Sequence, residues 1–231
     1  MPGPLEYCIW LVCTLLEGAV VVCAVKSQSF RRYIFLNLYM GLSFLVSVSR
    51  YHVLNHYGMA SNEYVYFYYY SDTLLTIGLY FALLNLYSLV FDEMQVEGYL
   101  RLGAVVLLGG TAWFSYAVVQ QSSHRILTHF AYELSQNLYF VGLVLTYALW
   151  GAILKLRETR ARLIQLVLAL GVYFSAFAAN YALQNLYFKA GVLRFVTPLL
   201  GCILPAAWAY CFLRVSEEDR LVPSRLAAVP R

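Results

Sequence analysis

The chain has 231 residues, of which 61% are apolar and only 12% are charged, and its formal net charge is +4. So few charged side chains cannot cover a soluble domain of this size, so the composition excludes a soluble enzyme and predicts an integral membrane protein. The small positive charge forms no basic patch apart from short loops, which excludes nucleic acid as a partner.

Seven apolar runs follow one another along the chain, each close to the roughly 20 residues that a helix needs to cross about 30 Å of hydrocarbon. They cover residues 7–25, 33–49, 73–91, 102–123, 134–154, 163–188 and 195–213. The second run is expected to extend to about residue 57 and the third to begin at about residue 64. The sequence therefore predicts an all-α fold, with a seven-helix transmembrane domain over residues 1–214 and a polar tail over residues 215–231.

The distribution of positive charge predicts an orientation. When the loops are assigned alternately to two sides, four of the sixteen lysines and arginines lie on one side, namely Arg50, Arg125, Lys189 and Arg194. Because positive residues concentrate in cytoplasmic loops, we expect the N-terminus outside and the C-terminus in the cytoplasm. The expected location is the lipid bilayer of a plasma membrane, the inner membrane in a bacterium.

Polar side chains crowd the outer ends of four predicted helices, although a charge in a bilayer centre costs about 2.5–3.5 kcal/mol. Spacings of three and four residues place them on shared helix faces. The candidates are Arg50, His52, Asp72, Thr76, His129, Glu133, Asn137, Asn180 and Gln184. They predict an outward-facing pocket for a small or amphiphilic ligand, in which Arg50 binds an anionic group and Asp72 or Glu133 exchanges protons. The alternative is a hydrogen-bonded network that only fixes helix packing.

Histidine spacing suggests a second kind of site. His52 and His56 are one helical turn apart, so they could bind a metal together with His129. The alternative is a pair of histidines at the membrane interface, and no cofactor is identified by the sequence.

Three other features concern single helices. Glu17 lies alone in the first run, so we expect it to be neutral or to hydrogen-bond to a neighbouring helix. The five cysteines are interpreted as small packing residues. Pro198 and Pro205 predict a bend in the seventh helix.

Two repeated patterns remain. Asn-Leu-Tyr begins at Asn37, Asn85, Asn137 and Asn185, so that the first two copies map onto the last two by a shift of 100 residues. This indicates either an inverted internal duplication or chance in a chain rich in leucine and tyrosine. Tyrosines at 64, 66, 68, 69 and 70 are typical of an aromatic belt at the membrane interface.

The aromatic run Tyr66-Phe67-Tyr68-Tyr69-Tyr70 and the boundary Leu89-Val90-Phe91-Asp92 resemble those of small, uncharacterised seven-span proteins of bacterial inner membranes. The resemblance implies the fold and the membrane location, and it brings no activity. The leading hypothesis is a non-enzymatic sensor or receptor with an outer pocket. The alternatives are a proton-coupled solute transporter, an accessory subunit of a larger membrane complex, and a metal-dependent hydrolase.

Overall fold

The computed structural model describes residues 4–92, 97–120, 126–186 and 193–216. These residues form seven α-helices, each long and apolar enough to cross a membrane. They are α1 (Pro4–Lys26), α2 (Ile34–Tyr57), α3 (Asn62–Val90), α4 (Glu97–Val119), α5 (Ile126–Leu156), α6 (Ala161–Leu186) and α7 (Leu193–Arg214). The prediction of an all-α, multi-pass membrane protein is confirmed.

The turn between α2 and α3 shows how the sequence sets helix ends. Gly58 follows α2 with φ of 82°, a backbone conformation that glycine adopts without strain. Ser61 then caps α3, because its hydroxyl accepts a hydrogen bond of 3.1 Å from the backbone N–H of Tyr64. Both helices continue past the apolar runs, as the sequence predicts.

Six of the helices form a closed ring. In order around the ring, α1 packs on α2, α2 on α3, α3 on α5, α5 on α6, α6 on α7, and α7 on α1. The fourth helix, α4, lies outside the ring against α5 and α3. The Tyr80 hydroxyl donates to the carbonyl oxygen of Ala104 at 3.2 Å, and Asn137 donates to the Ser115 hydroxyl at 3.0 Å. Much of α4 is exposed, including Trp113 at 75%.

Two neighbouring pairs in the ring run in the same direction. The Thr73 hydroxyl of α3 donates to the carbonyl oxygen of Ala131 in α5, at 3.0 Å. Fourteen residues further along both helices, the Tyr87 hydroxyl donates to the carbonyl oxygen of Leu145 at 2.5 Å. The helices α1 and α7 also begin at one end of the bundle and run in the same direction. We call this the amino end, and the end where α7 stops the carboxyl end.

A disulfide between Cys13 and Cys202 joins α1 to α7, with their Cα atoms 4.9 Å apart. The sequence interpretation treated all cysteines as packing residues and differs here. The two residues are 189 positions apart, so no local spacing could indicate the bond. Cys8, Cys23 and Cys211 are free.

Close packing joins α5 to α6. A Cβ atom built on Gly142 would lie 2.4 Å from a ring carbon of Phe174, whose side chain is 1% exposed. A Cβ atom on Gly171 would lie 3.2 Å from the Thr146 methyl group. Small residues at these positions let the two backbones approach each other.

Two arginines secure the carboxyl end. Arg162 is 4% exposed; its Nε donates to the carbonyl oxygen of Val215 at 2.8 Å, and Nη1 donates to the Ser29 hydroxyl. Arg160 donates from Nη2 to the carbonyl oxygen of Leu89 at 2.8 Å. Carbonyls at helix C-termini lack partners within the helix, so these contacts complete the ends of α7 and α3. Of the predicted polar tail, residues 217–231 lie outside the described ranges.

Arg160 also binds Glu158 in the loop before α6. Its Nη2 lies 2.5 Å from Oε2 of Glu158, and its Nε donates to Oε1 at 2.9 Å. These hydrogen bonds lower the pKa of Glu158 from its ordinary 4.5 to about 2, and Glu158 in turn raises the pKa of Arg160. The pair therefore remains ionised at neutral pH.

Candidate functional site

A cavity of about 310 Å³ lies inside the ring, in the half of the bundle nearer the amino end. All six ring helices contribute to its lining, and none of the lining residues belongs to α4. On α1 the lining runs from Tyr7 to Glu17, which corresponds to about 15 Å along the helix axis. The volume falls at the small end of the roughly 300–1,000 Å³ typical of ligand pockets.

Arg50 and Asp72 line the cavity together, from α2 and α3. Arg50 donates from Nε to the Ser71 hydroxyl at 2.9 Å and from Nη2 to the carbonyl oxygen of Tyr68 at 3.1 Å. Its guanidinium lies 4.4 Å from the centroid of the Tyr68 ring, and Nη2 is 3.8 Å from Oδ1 of Asp72. The structure thus places two of the predicted pocket residues next to each other.

The Asp72 carboxylate also connects the cavity to α5, through a hydrogen bond with the Ser135 hydroxyl. Thr76 lies one turn further along α3 and is 2% exposed. Its hydroxyl donates to the backbone carbonyl of Asp72 at 2.9 Å. Thr76 does not line the cavity and instead supports the helix behind Asp72.

Glu17 of α1 is the third charged residue in the lining. It is 8% exposed, and two hydroxyls of α2 donate to it: Ser43 to Oε1 at 2.5 Å and Ser47 to Oε2 at 3.0 Å. The expectation that Glu17 hydrogen-bonds to a neighbouring helix is thereby met. The sequence interpretation did not include Glu17 among the pocket residues.

Aromatic rings form much of the remaining wall. Near the amino end, Trp10 stacks on Tyr51 with ring centroids 5.1 Å apart. Deeper in the bundle, Tyr139 stacks on Phe177 at 5.0 Å, and Tyr173 lies 4.5 Å from Phe177. All five side chains line the cavity.

The seventh helix contributes the wall opposite α2 and α3. Pro198, Gly201 and Pro205 all line the cavity, together with Thr197 and Leu204. Proline cannot donate to the helical hydrogen-bond ladder, so the ladder of α7 is interrupted twice where the helix meets the cavity. A Cβ atom on Gly201 would meet nothing within 4 Å.

The predicted histidine candidates lie elsewhere. His52, His56 and His129 are exposed and do not line the cavity, and the His52 and His56 rings stack with centroids 6.4 Å apart. Across the residues that the structure describes, no group of three or more His, Cys, Asp or Glu side chains could hold a metal ion. The predicted metal site therefore has no support in the geometry.

Three further candidates are separate from the cavity lining. Glu133 is half-buried on α5, and Asn137 points toward α4 through its bond to Ser115. Asn180 is 3% exposed and donates to the Thr197 hydroxyl at 3.0 Å, so it lies directly behind the lining of α7. The side chain of Gln184 lies outside the described part of the structure.

The predicted polar stripes therefore divide between two places. Of the candidates whose side chains the structure describes, only Arg50 and Asp72 line the cavity, while Asn137 of α5 faces α4. Sequence reasoning missed Tyr64 and Tyr68, which it assigned to an aromatic belt but which line the cavity. Tyr68 is four residues and Tyr64 eight residues before Asp72, and this spacing on one helix face was the signal that could have identified them.

No protein-family model, curated protein or solved structure matches the chain. The resemblance to small bacterial seven-span proteins stays a prediction.

Proposed function

We propose that the protein is a non-enzymatic, receptor-like membrane protein that binds a small amphiphilic ligand in the ring cavity. The observation that carries the proposal is the lining itself: three charged side chains and several hydroxyls sit within an otherwise aromatic and aliphatic wall. A few polar groups that fix orientation inside an apolar cavity are typical of small-molecule sites. In this proposal the amino end faces the outside, following the predicted orientation.

The carboxyl half of the ring favours binding over passage. One core cluster there contains six fully buried side chains, namely Leu79, Leu83, Leu86, Leu166, Leu170 and Trp208. This packing closes the ring beyond the cavity within the described ranges. Proton-coupled transport is the second candidate, because Asp72 lies in the wall beside Arg50, where a ligand could change its protonation.

A route for signalling follows from the position of α7. Its proline-interrupted half lines the cavity, and Val215 directly after it accepts from the buried Arg162. A ligand that contacts Pro198, Gly201 or Pro205 would bias the conformation of this helix, and the change would reach the carboxyl end. The accessory-subunit and hydrolase alternatives have no comparable support.

The test is a variant that fills the cavity. Gly201→Phe places a ring in open space, and Gly109→Phe is the matched control, because its Cβ also meets nothing within 4 Å but lies on α4. Three probes share a six-carbon chain: hexylammonium, 1-hexanol and hexanesulfonate. We expect at least one of them to raise the Tm of the purified protein and of Gly109→Phe, and to leave Gly201→Phe unchanged.

Two results would overturn the binding proposal: no probe raises the Tm of the wild-type protein, or the same probe stabilises Gly201→Phe equally. Flux of the bound probe into liposomes separates the two candidates. Uptake that is abolished by Asp72→Asn would replace the receptor by a transporter, whereas stabilisation without uptake supports the receptor.

A further inference from the structure

We infer that the ligand is a monovalent organic cation with a slim apolar body, such as an alkylammonium, whose charged group binds beside Glu17. This inference rests on the proposed function and specifies the chemical class of its ligand.

The cavity lining has more acidic than basic side chains. Among the described lining residues the ionisable carboxyl groups are Glu17 and Asp72, and the only cationic side chain is Arg50. When both carboxylates are ionised, the lining carries one negative charge in excess. A cationic ligand completes this balance, whereas an anionic ligand would add to the excess.

Arg50 already has several partners. Its guanidinium donates to Ser71 and to the backbone of Tyr68, covers the Tyr68 ring, and lies 3.8 Å from Asp72. An anionic ligand that reached the remaining guanidinium donors would lie beside the Asp72 carboxylate, which would repel it. Arg50 and Asp72 therefore neutralise each other and leave Glu17 as the charged group without an ionic partner in the described lining.

Glu17 has unused capacity to accept hydrogen bonds. Ser43 and Ser47 each donate once to it, one to each oxygen. A carboxylate offers about four acceptor positions, so positions remain for a ligand. Glu17 lies ten residues along α1 from Tyr7, at the deep end of the lining on that helix. The charged group of the ligand would reach the middle of the bundle.

The walls suit a cation as well. Nine of the 23 lining residues are aromatic, so a ligand in the cavity meets ring faces on several sides. Aromatic faces attract ammonium groups, and the attraction is stronger where water is excluded. Trp10 and Tyr51 lie between Glu17 and the amino end, and Tyr173 and Phe177 face the deeper part. The aliphatic portion of the ligand would contact Met40, Leu54 and Leu75, which also line the cavity.

The experiment compares the same three probes by their affinities, measured from the fluorescence of Trp10. Trp10→Phe identifies the part of the signal that comes from this residue. We expect hexylammonium, whose N–H groups can donate to Glu17, to bind at least about tenfold more tightly than hexanesulfonate or 1-hexanol, because hydrogen bonds to charged groups are the stronger ones. Glu17→Gln keeps the shape of the side chain and should weaken binding of the cation about tenfold or more while leaving 1-hexanol unchanged.

Glu133→Gln is the matched control, because it makes the same chemical change in a half-buried residue outside the lining. We expect it to bind all three probes as the wild-type protein does. Unchanged binding of 1-hexanol by Glu17→Gln shows that this variant is folded. Preference for hexanesulfonate or 1-hexanol overturns the cation inference and leaves the ligand-binding proposal standing, whereas failure of all three probes overturns both. Equal loss in Glu17→Gln and Glu133→Gln overturns the role of Glu17.

Discussion

The contact between Gly142 and Phe174 gives the sharpest test of the packing. A Cβ atom on Gly142 would lie 2.4 Å from Cε1 of Phe174 and 2.5 Å from Cζ, far inside van der Waals contact. Phe174 is 1% exposed, and its ring packs against Tyr139 with centroids 6.0 Å apart. In Gly142→Ala the helix gains up to about 1 kcal/mol from the better helix former, but overpacking costs about 1–3 kcal/mol.

Gly151→Ala is the control, because it lies on the same helix and its Cβ would meet nothing within 4 Å. We expect Gly142→Ala to be less stable than Gly151→Ala by about 1–3 kcal/mol, measured by reversible unfolding in detergent micelles. Adding Phe174→Leu should restore part of the loss in Gly142→Ala, so the two changes are not additive. Equal stabilities of the two alanine variants, or full additivity with Phe174→Leu, would refute the close approach of α5 and α6.

Two predictions concern the carboxyl end. Arg162→Met removes the donors to Val215 and should lower the free energy of unfolding by about 1–3 kcal/mol, because a buried carbonyl loses its partner; Arg157→Met, an exposed neighbour, should change it little, and equal effects of the two would contradict the role of Arg162. The lowered pKa of Glu158 means that its contribution to stability is complete above pH 4.5 and is lost as the pH falls toward about 2. The free energy of unfolding, measured as a function of pH, should therefore fall over this interval in the wild-type protein but not in Glu158→Gln. An equal fall in that variant would count against the ion pair with Arg160.

The helices could be predicted from the sequence because the length and apolarity of a continuous run are enough to identify a membrane-crossing segment. Their ends were harder to predict where polar residues continue a helix. The apolar run of α5 begins at residue 134, whereas the helix begins at Ile126. His129 and Glu133 lie in that additional segment, so the helix continues beyond its apolar run into polar residues at the membrane boundary.

The site was predicted only in part, because periodicity assigns residues to a helix face but does not say which neighbour that face meets. Arg50 and Asp72 line the cavity together because a short turn joins α2 to α3. Glu17 was missed because its place in the cavity depends on α1 packing beside Ser43 and Ser47. Asn137 was assigned to the pocket, yet α4 lies outside the ring and accounts for its polar face through Ser115.

The fourth helix solves a problem of connectivity. Adjacent transmembrane segments in sequence must run in opposite directions, yet α3 and α5 lie side by side and point the same way. The chain must therefore cross the bilayer once in the opposite direction between α3 and α5, and α4 is that crossing. The outward surface of α4, where Trp113 is 75% exposed, therefore tolerates apolar substitutions that leave the helix long enough to span the bilayer. Deleting α4 would invert the orientation of the last three helices across the membrane.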